Sequence, residues 1–122
     1  MTVQNNFVKP IDVSNGIEFG IYSLGDLMVN PHNNTIISEK QRLKEIIEIA
    51  KMAEQAGIDV FDVGESHQDY FVSQAQSVIL SAIVQETKKI KIVSSATLVS
   101  VHDPVMLWED FATLDLLSDS RV

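Results

Sequence analysis

The stretch AGIDVFDVGESHQDYF, residues 56–71, runs from a glycine through an apolar segment into a loop crowded with polar and aromatic side chains. Gly57 suits the end of a helix, because it takes the left-handed conformation that a Cβ resists. Residues 58–63 then read as a strand, and residues 64–71 as the loop that follows it. Upstream, Ser38 stands three positions before Gln41, the pattern of a capped helix start. Leu43, Ile46, Ile47, Ala50 and Ala53 recur after it at helical spacing and make one buried face. Helix, glycine stop, strand and polar loop thus form a unit, and the rest of the chain repeats it.

On the N-terminal side, residues 17–23 (IEFGIYS) alternate as a strand does, and residues 25–37 form a long loop containing Pro31. A βα connection of that length is unusual, and long loops in compact domains often serve function. Residues 1–16 are polar and read as an arm closed by an Asn15-Gly16 turn. On the C-terminal side, Ser73 and Gln76 form a second capping box, followed by Ala75, Val78, Ile79, Ala82 and Ile83 on the helix. Residues 90–97 are a third strand. Asp103-Pro104 opens a third helix, with the carboxylate as N-cap and the proline where its missing N–H costs nothing. That helix carries Met106, Leu107, Phe111, Leu114 and Leu117 and ends near Ser118. Arg121-Val122 then reads as the first residues of another strand.

Three consecutive βα units imply parallel strands in the order 1-2-3 with right-handed crossovers. Such a sheet is either open and doubly wound or an arc of a barrel. The first loop, SLGDLMVNPHNN, lacks the glycine-rich phosphate turn that usually marks the doubly wound form.

A chain of 122 residues with 45% hydrophobic and 21% charged residues is one globular domain's worth. Nine basic against 17 acidic residues, a net charge of −8, argue against a polyanionic partner. Lys88 and Lys89, the one local basic cluster, read as complementing the dipole at the end of the second helix. The absence of cysteine excludes disulfides and thiolate chemistry. No apolar run reaches the roughly 18 residues of a membrane span, and the N-terminus lacks the pattern of a secretion signal, so a cytoplasmic location is expected.

Two constellations carry candidate chemistry. Glu65, Ser66 and His67 follow the second strand, where an imidazole can act as general acid or base or simply hydrogen-bond a neighbouring loop. Ser94, Ser95, Ala96 and Thr97 end the third strand, where small side chains admit a flat ring or merely suit a crowded interior.

GESHQDYF (residues 64–71), KIKIVSSATLVSVHDPV (89–105) and WEDFATLDLLSDSRV (108–122) together resemble the bacterial luciferase-like flavin-dependent monooxygenases. The resemblance covers residues 17–122. It implies a (β/α)8 TIM-type barrel of which this chain supplies the first three βα units, since a full barrel takes about 250 residues. It implies reduced FMN, or in some branches a deazaflavin, acting with O2 on a small organic substrate, with this portion inactive alone. Glu65 and His67 match the family's Glu-His-His pattern as catalytic residues, whereas Ser66 replaces the first histidine. Ser95, Ala96 and Thr97 would bind the cofactor, with a non-proline cis peptide joining Ser95 to Ala96. Related enzymes often dimerise through the second and third helices.

Two other readings stand beside this one. His32, His67 and His102 each follow a different strand and could together hold a catalytic zinc, as in a metal-dependent hydrolase. Alternatively, the chain is a non-catalytic truncated scaffold that self-associates. The inward strand faces, expected to be rich in Ile, Val and Phe, and the free sheet edges would then drive a homo-oligomer. The expected contact lies around Val78, Ile83, Trp108 and Phe111, or on the open sheet. Trp108, Phe111 and the methionines otherwise read as packing residues.

Overall fold

The computed structural model describes Ser14 and residues 16–122, so the arm read over residues 1–16 falls, apart from Ser14 and Gly16, outside the described residues. Its elements alternate: β1 (Gly20–Ser23), α1 (Glu39–Gln55), β2 (Val60–Val63), α2 (Gln76–Glu86), β3 (Lys91–Ser94) and α3 (Pro104–Leu117). A short 3-10 turn at Val99–Val101 precedes α3. The strands are parallel in the order β1-β2-β3, as the repeating pattern requires. Their register sets Ile21, Phe61 and Ile92 side by side, and Tyr22, Asp62 and Val93 beside them on the other face.

Each strand is shorter than its alternation suggested. Before β2 the Asp59 carboxylate accepts the Phe19 N–H at 2.9 Å, so a side chain takes the place of a ladder partner. Beyond β3, the Ile92 N–H donates to the Arg121 carbonyl at 2.8 Å. Residue 121 therefore comes alongside the outer edge of β3, as expected of the start of another strand.

Two helix starts follow the sequence pattern. Ser38 Oγ accepts the Gln41 N–H at 3.2 Å, although the Gln41 side chain turns to Glu45 and leaves the box half made. Asp103 accepts the Val105 and Met106 N–H groups ahead of Pro104. The second start does not follow it. Position α2 N-cap falls on Ala75 with no side-chain cap, because Ser73 and Gln76 are both buried and bonded elsewhere. Ser73 Oγ donates to the Leu24 carbonyl at 2.7 Å, and Gln76 Nε2 donates to the Val63 carbonyl. Each satisfies a carbonyl outside the helix, fully buried at Val63 and partly at Leu24, which outranks capping.

Lys88 and Lys89 also differ from expectation. Helix α2 stops at Glu86, with no basic residue in its last turn. The two lysines lie in the connection, where their backbone N–H groups and that of Ile90 donate to one Glu54 oxygen. Burial opposes ionisation of Glu54, but the bonds from Ile90, Lys89 and Lys88 outweigh it and hold the carboxyl below the usual carboxylate range. A lowered folded-state pKa adds stability that is present above the unfolded value and lost as pH falls through the folded one. Glu54→Gln should therefore destabilise the chain by about 1–2 kcal/mol at neutral pH. In urea titrations the gap from wild type should narrow on acidification, and a gap independent of pH would contradict this role.

Alternation sends Phe61, Val63 and Ile92 toward the helices, where they meet Ile46 and Ala50 of α1, Leu80, Ile83 and Val84 of α2, and Leu114 of α3. The other sheet face carries Gly20, Tyr22, Val60, Asp62, Lys91 and Val93. The inward face is thus not the Ile-, Val- and Phe-rich surface expected. The reason is that strands paired with helices on one side place their largest apolar residues there. Helix α3 buries only Leu114 fully and exposes Val105, Met106, Trp108, Leu116 and Leu117. Among the described residues no helix is long and apolar enough to cross a membrane.

Candidate active site

The loops leaving the C-terminal ends of the strands converge. The Gly64 N–H donates to the Ser23 carbonyl at 3.0 Å, and the Ser95 N–H to the Val63 carbonyl at 3.3 Å. A Cβ on Gly64 would collide with the Tyr22 hydroxyl and Leu24 and would sit 3.0 Å from the Ser95 carbonyl oxygen. Glycine is what lets the three loops close on one another. The long loop after β1 folds onto the loop after β2, with the Leu27 N–H donating to the Tyr70 carbonyl at 2.7 Å. Arg42 pins it from α1 by an ion pair to Asp26 at 3.0 Å.

Glu65 is the centre of this rim. Its side chain is 0% exposed, and its Oε1 lies 2.6 Å from His67 Nε2 and 2.8 Å from His102 Nε2. Its Oε2 accepts the Leu98 N–H at 2.8 Å, while its own N–H donates to the Ala96 carbonyl at 3.3 Å. Burial pushes against ionisation, yet the bonds from His67, Leu98 and His102 prevail and hold the carboxyl below its usual range. One carboxylate therefore ties the loop after β2 to the whole segment between β3 and α3.

The segment after β3 contains the cis peptide between Ser95 and Ala96. Ser95 Oγ bonds Asp62 Oδ2, and Asp62 Oδ1 is buried without a partner. Thr97 Oγ1 donates to Gln76 Oε1 at 2.7 Å, and Gln76 in turn holds the end of β2. Ala96 is exposed between the half-buried Ser95 and Thr97.

Of the residues singled out from sequence, Glu65, His67, Ser95, Ala96 and Thr97 are brought together. Ser66 is buried beside them. The three histidines are not assembled as a set. His102 joins His67 on Glu65, while His32 sits in an exposed turn with its backbone N–H on Asn30 Oδ1 at 2.9 Å. Among the described residues no group of three or more His, Cys, Asp or Glu side chains is arranged to hold a metal ion.

Sequence reasoning missed Asp62, read Gln76 as a helix cap, and placed His102 without its partner. Asp62 was detectable as a charge between Phe61 and Val63, since alternation must turn it away from the core. A groove of about 700 Å³ lies between α1 and α2, lined by Lys44, Ile47, Lys51 and Ala82 among others. It lies on the helical layer, apart from these loops, and Lys51 there is already paired with Glu48 and Glu86.

Parallel strands in consecutive order, crossover helices on one face and a polar cluster on the strand-end loops define part of a TIM-type barrel with its rim. The profile of the luciferase-like monooxygenase family matches residues 17–122, and the chain belongs to that family. No curated protein matches it significantly.

Among solved structures, monooxygenase RslO1 from Streptomyces bottropensis is similar at 25% identity and a TM-score of 0.73, over 86% of this chain and 31% of that one. Apo-MsnO8 superposes with a TM-score of 0.76 at 24% identity, over 86% of this chain and 30% of its own. The oxygenating constituent of 3,6-diketocamphane monooxygenase from Pseudomonas putida, a type II Baeyer-Villiger monooxygenase in complex with FMN, gives 0.73 at 21% identity, over 85% and 27%. The last two establish the fold alone. The chain spans less than a third of the length of each of these structures.

Proposed function

We propose that the chain supplies the ring-binding part of a flavin site in a luciferase-like monooxygenase that acts with O2 on a small organic substrate. The observation that carries this reading is the junction of the Ser95-Ala96-Thr97 segment with the Glu65 cluster on one rim. FMN is favoured over a deazaflavin by the FMN in the Pseudomonas putida structure. When bound, reduced flavin supplies the electrons that activate O2.

The residues fit the ring end of that group. Ala96 is small and exposed on the rim, and Asp62 Oδ1 is a buried acceptor still lacking a donor. Neither arginine, the side chain best suited to a phosphate, is free to hold the phosphate end. Arg42 is committed to Asp26, Lys51 to the α1–α2 surface, and Arg121 to the end of α2. FMN and lumiflavin, which lacks the ribityl phosphate, should therefore bind this chain within about fivefold of each other, because a phosphate without a cationic partner adds under about 1 kcal/mol. Fluorescence quenching measures both. Ala96→Phe should weaken both alike, and tight, stoichiometric binding of FMN alone would overturn the assignment.

We also propose a homodimer or larger assembly through α2 and α3. Val78 is 67% exposed and Trp108 70% exposed, whereas Ile83 is fully buried and Phe111 half-buried in the core layer. Contact through Val78 and Trp108 is therefore open to a partner, and contact through Ile83 is not. A stable pairing needs more than about 1,000 Å². Light scattering over a dilution series should show a dimer that Trp108→Glu dissociates; a monomer at every concentration would refute it.

A further inference from the structure

We infer that His67 and His102 form a two-imidazole proton-accepting site on the rim, with Glu65 the positioning residue that fixes both rings. The inference rests on the reading of this rim as the place of reaction. Its support is geometric. Both Nε2 atoms lie on the same Glu65 oxygen, at 2.6 Å and 2.8 Å. A carboxylate only accepts hydrogen bonds, so each ring must carry its hydrogen on Nε2 to make this contact. The neutral rings are then held in one tautomer, with a bare lone pair on Nδ1.

Neither Nδ1 has a partner among the described residues. The side chains are 47% exposed for His67 and 34% exposed for His102, so both acceptors remain within reach of a bound molecule. Glu65 itself cannot play that part. Its side chain is sealed from solvent, and its two oxygens are occupied by His67, His102 and the Leu98 N–H. The low proton affinity of its carboxyl agrees with an acceptor that stays ionised.

The step is a simple proton transfer. A weakly acidic O–H or C–H group of the substrate gives its proton to Nδ1, and its bonding pair stays behind as the conjugate base. The ring becomes an imidazolium whose Nε2–H still donates to Glu65, and the carboxylate offsets the new charge, the same logic by which a buried acid orients a histidine base elsewhere. Two rings on one carboxylate offer the substrate two positions for the acceptor. Ser66 stands between Glu65 and His67, its Oγ 3.5 Å from the Gln68 N–H, and the second imidazole on the carboxylate comes from the segment before α3.

Long-range ¹⁵N spectra of the histidine rings test this on the chain as it is, without flavin. At pH about 8, His67 and His102 should each show a single tautomer with hydrogen on Nε2, while the exposed His32 shows a mixture. Phenol, a weakly acidic probe, should shift the Nδ1 resonance of His67 or His102 saturably and leave His32 unmoved. Glu65→Gln cannot serve all its partners: with its oxygen on the imidazoles its NH2 faces the Leu98 N–H, and turned round it forces the rings to accept.

That variant should therefore either quicken exchange of the Leu98 amide or reverse the tautomer of the rings, and the absence of both changes would contradict the positioning role. Should it fail to fold, His67→Asn provides the second test, since His102 must then keep its tautomer on the remaining carboxylate. Mixed tautomers at both rings in the wild type, or no Nδ1 response to phenol, would overturn the inference. Neither result depends on lumiflavin binding, so this assignment and the flavin assignment fail separately.

Discussion

Phe61→Ala is expected to cost about 3–5 kcal/mol of folding free energy, the usual loss when a large buried aromatic leaves a cavity that its neighbours cannot fill. Phe61 is fully buried on the central strand, level with Ile21 of β1 and Ile92 of β3. It belongs to the single cluster that joins α1, α2 and α3 through Ile46, Leu80 and Leu114. β2 is held in register on both sides, by β1 and by β3. Domains of this size hold only about 5–15 kcal/mol in total, so the variant should unfold in much less urea or fail to fold. A loss under about 1 kcal/mol would mean that the strands do not share one core, and the proposed register would be wrong.

Arg121→Met is expected to cost about 2–4 kcal/mol, although the methionine preserves most of the apolar stem. The guanidinium donates to the carbonyls of Ser118, Val84, Thr87 and Ile90 and to Thr87 Oγ1, all between 2.9 and 3.1 Å. It thereby gathers the C-terminal carbonyls of α2, the connection to β3 and the turn after α3. Its own carbonyl accepts the Ile92 N–H, so the same residue fixes the outer edge of β3. Lysine should restore little, since a single ammonium cannot reproduce a planar fork serving five acceptors. Hydrogen exchange should quicken most at Thr87 and Ile92. Protection unchanged there would show that water satisfies these carbonyls equally well.

Much of this fold was legible in local sequence. Ser38, Gly57 and Asp103-Pro104 act through atoms within a few residues of themselves, and each behaves as its position predicts. Ser73 and Gln76 have the same local signature but a different fate. Their partners, Leu24 O and Val63 O, lie 49 and 13 residues away, and nothing in a capping pattern reports a buried carbonyl in another loop. Strand positions were visible, yet the direction of their faces was not. Alternation separates Phe61 and Val63 from Asp62, but only packing against α1 and α2 says which set faces the helices.

The site was half legible for the same reason. Glu65 and His67 are two residues apart and were seen together. His102 lies 37 residues beyond Glu65, and nothing in its local sequence reports that partner. The shared carboxylate appears only once the crossover through α2 and β3 brings that segment back to the β2 rim.

Chemical-shift mapping of lumiflavin on the ¹⁵N-labelled chain tests the central claim most directly. The shifts should concentrate at residues 64–65 and 95–98, where the Glu65 cluster and the Ser95-Ala96-Thr97 segment meet. Shifts confined to the groove between α1 and α2 around Ile47 and Ala82, or none at saturating lumiflavin, would contradict the placement of the flavin ring on this rim.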